Sequence, residues 1–355
     1  ATTQTLATQN ALGVRNLIIN GDMRIDQRNA GSAVAMAVAY TLDRWLGVES
    51  TDGGCNVQQV TDAPANATHS LKVTVTTADA SLAAAQYTVV RQILEGNNIA
   101  HLGWGTSDAK TITMSFWVKS SVTGTYAVTV NNSAYNRGYV ATYTISSANT
   151  WEYKTVTITG DTTGTWNTDN TSGIVLNFGL GTGTDHQNTA DSWVAGYGFG
   201  TASTTNLMAT NSATWQVSLV QLEVGDTATP FEHRPYDMEL QRCERYYQKN
   251  YLMEDAPGVS TSGENSRYMH GSSDGSSNGA AGVFWRCRMR ATPTVTWYTD
   301  GGTQGQWHYA RSGASGAATF TAYRVGDTGA NGFLGVGAAW ATCSLWGNWT
   351  ANAEL

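Results

Sequence analysis

The chain has 355 residues and a formal net charge of -7, with charged residues at only 13% and 38 glycines. A chain this long exceeds what one core usually fills, so two domains are expected. The acidic balance argues against a nucleic-acid binder, which needs a basic stripe to neutralise phosphates.

Residues 1–13 are small and polar without a period, and read as an N-terminal docking arm that orders on a partner. They lack the basic and apolar regions of a signal peptide, and no apolar run approaches the ~20 residues that span a bilayer. The expectation is a protein made in a cytoplasm, without membrane insertion. Residues 14–234 read as short β-segments separated by Gly, Asn, Asp and Ser turns. Alternation is plainest at Ser70 to Val75, Ile112 to Val118 and Tyr126 to Val130, where one face is apolar and the other polar. Further strands are expected at residues 140–145, 154–159, 174–180 and 214–224, with 17–20 and 43–49. About eight to ten strands in an all-β pattern suit a jelly-roll β-sandwich.

Pro235 fits the first turn of a helix, and residues 235–250 read as a short linker helix. Tyr236, Leu240, Cys243 and Tyr247 follow at spacings of four, three and four. That apolar stripe is the expected oligomer contact, or else packs on its own domain. Residues 251–355 read as a second, smaller β-domain, distal and receptor-facing, with strands at 282–290, 294–298, 317–324, 333–341 and 348–355. Ser272 to Gly279 is a polar loop tip of the kind that carries recognition. Arg286, Arg288 and Arg290 alternate on an expected strand and would share a solvated or subunit-contacting face.

Thirteen Trp and sixteen Tyr against seven Phe put most aromatic area on rings with a polar handle, which suits binding surfaces as well as half-buried sheets. Sugar recognition needs a flat apolar face plus amides or carboxylates for hydroxyls. Tyr135, Asn136, Arg137 and Tyr139, with Trp193 and Tyr197, have that mixture. No nucleophile elbow, metalloprotease helix, P-loop or dinucleotide fingerprint stands in its structural context, and the six histidines are scattered. Asp161, Asp169, Asp185 and Asp191 could supply a glycosidase pair but equally serve turns. Asp22, Asp43 and Glu223 are candidate ligands for a structural Ca2+, with pairing to Arg24, Arg44 or Arg234 as the competing explanation. Cys55, Cys243, Cys287 and Cys343 lie too far apart for a zinc signature or a disulfide framework, and read as buried thiols.

Asn16 to Asp22, Asp43 to Trp45, Gln221 to Gly225, Pro230 to Glu232 and Cys243 to Tyr247 form an ordered motif set. In this set the chain resembles bacteriophage tail fibre and appendage proteins with a carbohydrate-binding-module-like β-sandwich, over most of residues 14–247. Residues 289–295 and 349–355 look like the ends of similar phage proteins. The resemblance implies a virion subunit without enzymatic activity. It would be a homotrimer, joined through its N-terminal arm to other virion proteins and adhering to a host cell-surface glycan by multivalent contacts. It also implies that the motif residues build the fold. A tailspike-like glycan depolymerase and a passive capsid or connector fibre with no ligand are the alternatives. No shaft repeat is present, so the place on the virion stays open.

Overall fold

In the computed structural model the described residues are 15–261, 267–271, 278–311, 313–335 and 343–355. The expected docking arm and most of the loop tip at 272–279 lie outside them. The chain divides into two units: one takes in the chain through Ile25, Gly31–Pro235 and Leu355, the other Asp26–Ala30 and Tyr236–Glu354.

Among the described residues the first unit contains thirteen strands. They are β1 (Val34–Ala35), β2 (Ala39–Leu42), β3 (Trp45–Glu49), β4 (Gly54–Val60), β5 (Ser70–Thr77), β6 (Tyr87–Glu95) and β7 (Ile112–Ser120). They continue as β8 (Gly124–Asn132), β9 (Arg137–Ile145), β10 (Glu152–Ile158), β11 (Ser172–Thr182), β12 (Trp193–Ala195) and β13 (Thr214–Val224). Two antiparallel sheets result, six strands in the order β1-β4-β5-β13-β7-β10 and seven in the order β12-β9-β8-β11-β6-β3-β2. This is the all-β sandwich that alternation predicts. Each strand sends one side-chain set between the sheets: Ile112, Met114, Phe116 and Val118 from β7, and Ile174, Leu176, Phe178 and Leu180 from β11. Phe178 sits at the centre, 5.1 Å from Phe116, 5.1 Å from Trp215 and 6.3 Å from Trp45 between ring centroids. Such contacts add about 0.5–1.5 kcal/mol each beyond burial.

The motif residues close this sandwich. The Asn16 side chain accepts from Ile18 N at 2.9 Å and Leu222 N at 3.0 Å, and donates to Val220 O at 3.0 Å. Residues 17–20 are not a strand. Ile19 instead exchanges both backbone groups with the Gln92 amide, each at 2.9 Å. Gly21 is required by close approach, since a Cβ there would lie 2.2 Å from Val220 O. Trp45 is fully buried and donates its indole N–H to Asn20 O at 2.9 Å. Arg234 donates to Ile18 O at 3.0 Å and to Asn16 O.

In the second unit, α1 (Tyr236–Glu244) is followed by β14 (Tyr247–Lys249), β15 (Arg267–Gly271), β16 (Asn278–Phe284), β17 (Thr294–Tyr298), β18 (Gln306–Arg311), β19 (Ala314–Val325), β20 (Gly329–Gly335) and β21 (Cys343–Asn352). Strands β14, β15, β17 and β18 all pair with β21. The segment read as a linker therefore opens the second unit, and its last residues form a strand. The apolar stripe does not survive as an exposed face: Cys243 is 0% and Tyr247 6% exposed, whereas Tyr236 is 43% exposed. Tyr247 lies in β14 opposite Asn352, with the Arg28 guanidinium 3.8 Å from its ring centroid. Strand β16 ends at Phe284, so the three arginines do not alternate on a strand. Arg286 pairs with Glu244 at 2.6 Å and Arg288 with Asp327 at 3.3 Å, and Arg290 donates to Ala353 O at 2.8 Å. None of the four cysteines forms a disulfide, and Cys287 alone is only half-buried.

Candidate functional site

Pairing of β12 with β9 brings the two sugar-candidate stretches together, with Trp193 opposite Tyr139 and Ala195 opposite Arg137. Period two then splits them between two faces of the seven-stranded sheet. Tyr139 and Trp193 fall on the core side. There Trp193 packs edge-on against Trp104 at 5.4 Å, Trp166 at 5.5 Å and Tyr139 at 5.2 Å, and donates to Thr159 O at 2.8 Å. This cluster closes one end of the core.

Arg137 is committed at the same place. Its Nε donates to Asp161 Oδ2 at 2.9 Å and its Nη2 to Oδ1 at 2.6 Å, a two-pronged pair on a carboxylate that also accepts from Trp166 Nε1 at 3.2 Å. Burial works to raise the Asp161 pKa, but the hydrogen bonds from Arg137 and Thr163 outweigh it and hold the carboxyl below the usual range. Asp169 is also held low, by the hydroxyl and backbone N–H of Thr171. A glycosidase acid needs the opposite shift. Asp185 and Asp191 are exposed.

Tyr135 and Tyr197 fall on the outer face, 5.1 Å apart and edge-on. Register lines up Leu46, Arg91, Asn177, Thr129 and Val140 across β3, β6, β11, β8 and β9 on this face. Arg91 donates to Asn177 Oδ1 at 2.6 Å, and Asn177 donates to Thr129 Oγ1 at 3.1 Å. The Arg91 guanidinium lies 5.7 Å from the Tyr135 ring centroid and 5.6 Å from that of Phe199. A strap over residues 196–200 crosses the sheet, tied by Gly196 N to Asn136 O and Phe199 N to His186 O. Gly179 and Gly138 let it lie close: a Cβ on the first would meet Phe199 O at 2.0 Å, and one on the second would meet Gly196 O at 2.9 Å. Tyr87, Tyr197 and His186 surround Phe199, with ring centroids 4.5 to 5.5 Å from it.

Beside the strap, Asn131 is 0% exposed, yet neither polar atom of its side chain has a hydrogen-bond partner among the described residues. An unmet buried amide costs about 1–3 kcal/mol, so Asn131 is a destabilising point under the strap. A cleft of about 620 Å³ opens nearby, lined by Thr142 of β9 with Thr184, Gln187, Asn188, Thr201 and Ser203. Rings, amides, hydroxyls and one guanidinium on a rigid sheet match the needs of an uncharged polyhydroxylated ligand. Sequence reasoning named Tyr135 and Tyr197, the former in a stretch that opens at Asn131, but not Arg91 or Asn177. Their signal was a polar residue inside an otherwise apolar strand.

The calcium ligands do not converge. Asp22 pairs with Arg24, and the Glu223 carboxylate accepts from Thr229 N at 2.8 Å and Thr229 Oγ1 at 2.7 Å. Among the described residues no three His, Cys, Asp or Glu side chains gather into a metal cage.

No family model and no curated protein matches the chain. Solved structures do. The enzymatically active domain of tailspike protein 4 of bacteriophage CBA120 aligns at 12% identity and TM-score 0.33 over 59% of this chain and 21% of that one. The family 11 carbohydrate-binding module of Clostridium thermocellum, in complex with a mixed-linked tetrasaccharide, aligns at 13% identity and TM-score 0.29 over 57% of this chain and 98% of that one. A family 61 carbohydrate-binding module in complex with β-1,4-galactotriose aligns at 10% identity and TM-score 0.30 over 60% of this chain and 100% of that one. The chain thus spans about a fifth of the tailspike structure and nearly all of the two modules.

Proposed function

We propose that this chain is a non-catalytic adhesion subunit of a bacteriophage particle, which binds a host cell-surface glycan on the outer face of its seven-stranded sheet. The observation that carries the glycan reading is the pair of half-buried rings Tyr135 and Tyr197, 5.1 Å apart on the outer face near a cleft lined by amides and hydroxyls. The virion assignment rests on the ordered motif set from Asn16 to Tyr247. Homotrimeric assembly and docking to other virion proteins through the N-terminal arm belong to the same proposal. The absence of catalysis is supported by Asp161 and Asp169, whose carboxyls are both held ionised.

The test is retention on an array of bacterial surface glycans, followed by titration calorimetry on the strongest hit. Tyr135→Ala and Tyr197→Ala each lose about 1 kcal/mol of ring contact, or roughly fivefold to tenfold in affinity. Affinities unchanged in both variants would remove the outer face as the site. Release of new reducing ends from the bound glycan would instead establish the depolymerase.

A further inference from the structure

The solvent face of the six-stranded sheet is mostly a ladder of Ser, Thr and Lys side chains, interrupted by one aromatic patch. Trp117 of β7 and Tyr153 of β10 lie opposite each other in register, with ring centroids 5.7 Å apart. Across from them stand Phe231 and His233, themselves 5.0 Å apart. The groove they flank has a volume of about 370 Å³ and is completed by Asn66 and Ser115.

Three features mark it as a built site. First, its wall is pinned. Glu223 holds Thr229, and Gln221 Oε1 accepts from Glu232 N at 2.8 Å. The Glu232 carboxylate in turn accepts from Asn16 N at 2.8 Å, so Phe231 is fixed between tethered neighbours. Second, its floor is shaped by a bulge between Ser218 and Gln221 of β13, where Leu219 takes a φ of 52° and turns out of the core onto this face. Third, its polar groups are unspent. The indole N–H groups of Trp45, Trp104, Trp166, Trp193 and Trp215 all donate within their unit. The Trp117 indole, the Tyr153 hydroxyl, the Asn66 amide and the Ser115 hydroxyl have no hydrogen-bond partner among the described residues, although Ser115 is only 3% exposed.

We infer that this groove is a second, independent glycan site that takes one uncharged pyranose ring. Apolar faces of Trp117, Tyr153 and Phe231 meet the C–H side of the ring, and the peripheral donors and acceptors meet its hydroxyls. Among the described residues no Asp, Glu, Lys or Arg lines the groove, which disfavours acidic sugars and charged peptides.

The inference shares its ligand chemistry with the proposed function but none of its residues, so the two fail separately. The experiment follows the Trp117 indole resonance by ¹⁵N NMR, assigned with Trp117→Phe, during titration with the methyl glycosides of glucose, galactose, mannose and N-acetylglucosamine. A saturable shift is expected with at least one of them, retained in a Tyr135→Ala/Tyr197→Ala double variant. Tyr153→Phe, which keeps the ring and removes the hydroxyl, weakens that binding about fivefold to tenfold. No saturable shift with any of the four sugars overturns the inference. A shift that follows protein concentration and ignores sugar overturns it too, by identifying the groove as a contact between copies.

Discussion

Replacing Asp161 by Asn separates a ligand-binding arginine from a scaffolding one. Asp161 is the hub of the closed end of the sandwich, with two bonds from Arg137, two from Thr163 and one from Trp166. Removing one partner of a buried ion pair costs about 3–5 kcal/mol. The Arg137 side chain is 19% exposed against 2% for Asp161, so solvent screens part of the lost attraction and about 2–3 kcal/mol remains. In a unit of this size each kcal/mol moves the melting temperature by about 2–4 °C, which predicts a loss of roughly 5–10 °C at pH 7. The folded pKa of Asp161 is depressed, so its contribution is full above the ordinary carboxyl value of about 3.9 and is lost as pH falls through the folded value. The gap between the wild type and Asp161→Asn therefore narrows below about pH 4. Calorimetric melts at pH 7 and under acid conditions measure both. Equal melting at pH 7, or a gap that persists undiminished in acid, would refute the reasoning. So would a loss of glycan retention in a variant that melts like the wild type, because Arg137 would then be a contact residue after all.

Gly179→Ala places a Cβ 2.0 Å from Phe199 O and forces the strap off the sheet. Faster amide exchange over residues 186–200, destabilisation of about 1–3 kcal/mol and reduced glycan retention are expected. Glu223→Gln weakens the two bonds to Thr229 and costs about 1–2 kcal/mol in a urea titration, with a smaller Trp117 response to sugar because the Phe231 wall loosens. Chelation with EGTA leaves the melting temperature within about 1 °C, since a ligand that does not bind the folded state adds no stability by mass action. A larger drop would show that the carboxylates reorganise around calcium.

Strands were legible where burial is one-sided. Leu71, Val73 and Val75 are buried and Lys72 and Thr74 partly exposed, which is the period-two signal itself. Strand β6 was missed for the converse reason: Thr88 through Glu95 are all buried, so Tyr87–Glu95 shows no alternation and Arg91 reads as an interruption. Strand β4 turns only Cys55 and Val57 fully inward, too few apolar residues to stand out among polar neighbours. Residues 17–20 read as a strand because they are apolar, but their backbone groups go to a side-chain amide and a bulged neighbour, which no periodicity records. Lone charges were harder still. Asp22 and Glu223 invite a metal, yet Asp22 pairs with Arg24 two residues on and Glu223 accepts from Thr229.

The same limit explains why the sugar-candidate residues fall on two different faces of the sheet. Composition recognises which loops carry Tyr, Trp, Asn and Arg together, but the face a ring occupies depends on a single residue of register. Tyr139 and Trp193 pair across β9 and β12 and turn inward, while Tyr135, four residues from Tyr139, sits before the strand with a φ of 52° and stays outside. Arg91, Thr129 and Asn177 are far apart in sequence and meet only because three strands align them in one row. The motif set behaves differently because its members act on one another locally in space. Asn16, Gln221, Glu223, Glu232 and Arg234 bond among themselves and to Val220 and Thr229, locking the first residues of the unit to its last strand. In doing so they hold Phe231 over the solvent face of the six-stranded sheet. The device that closes the sandwich thus also fixes one wall of the groove, Pro230 and Phe231.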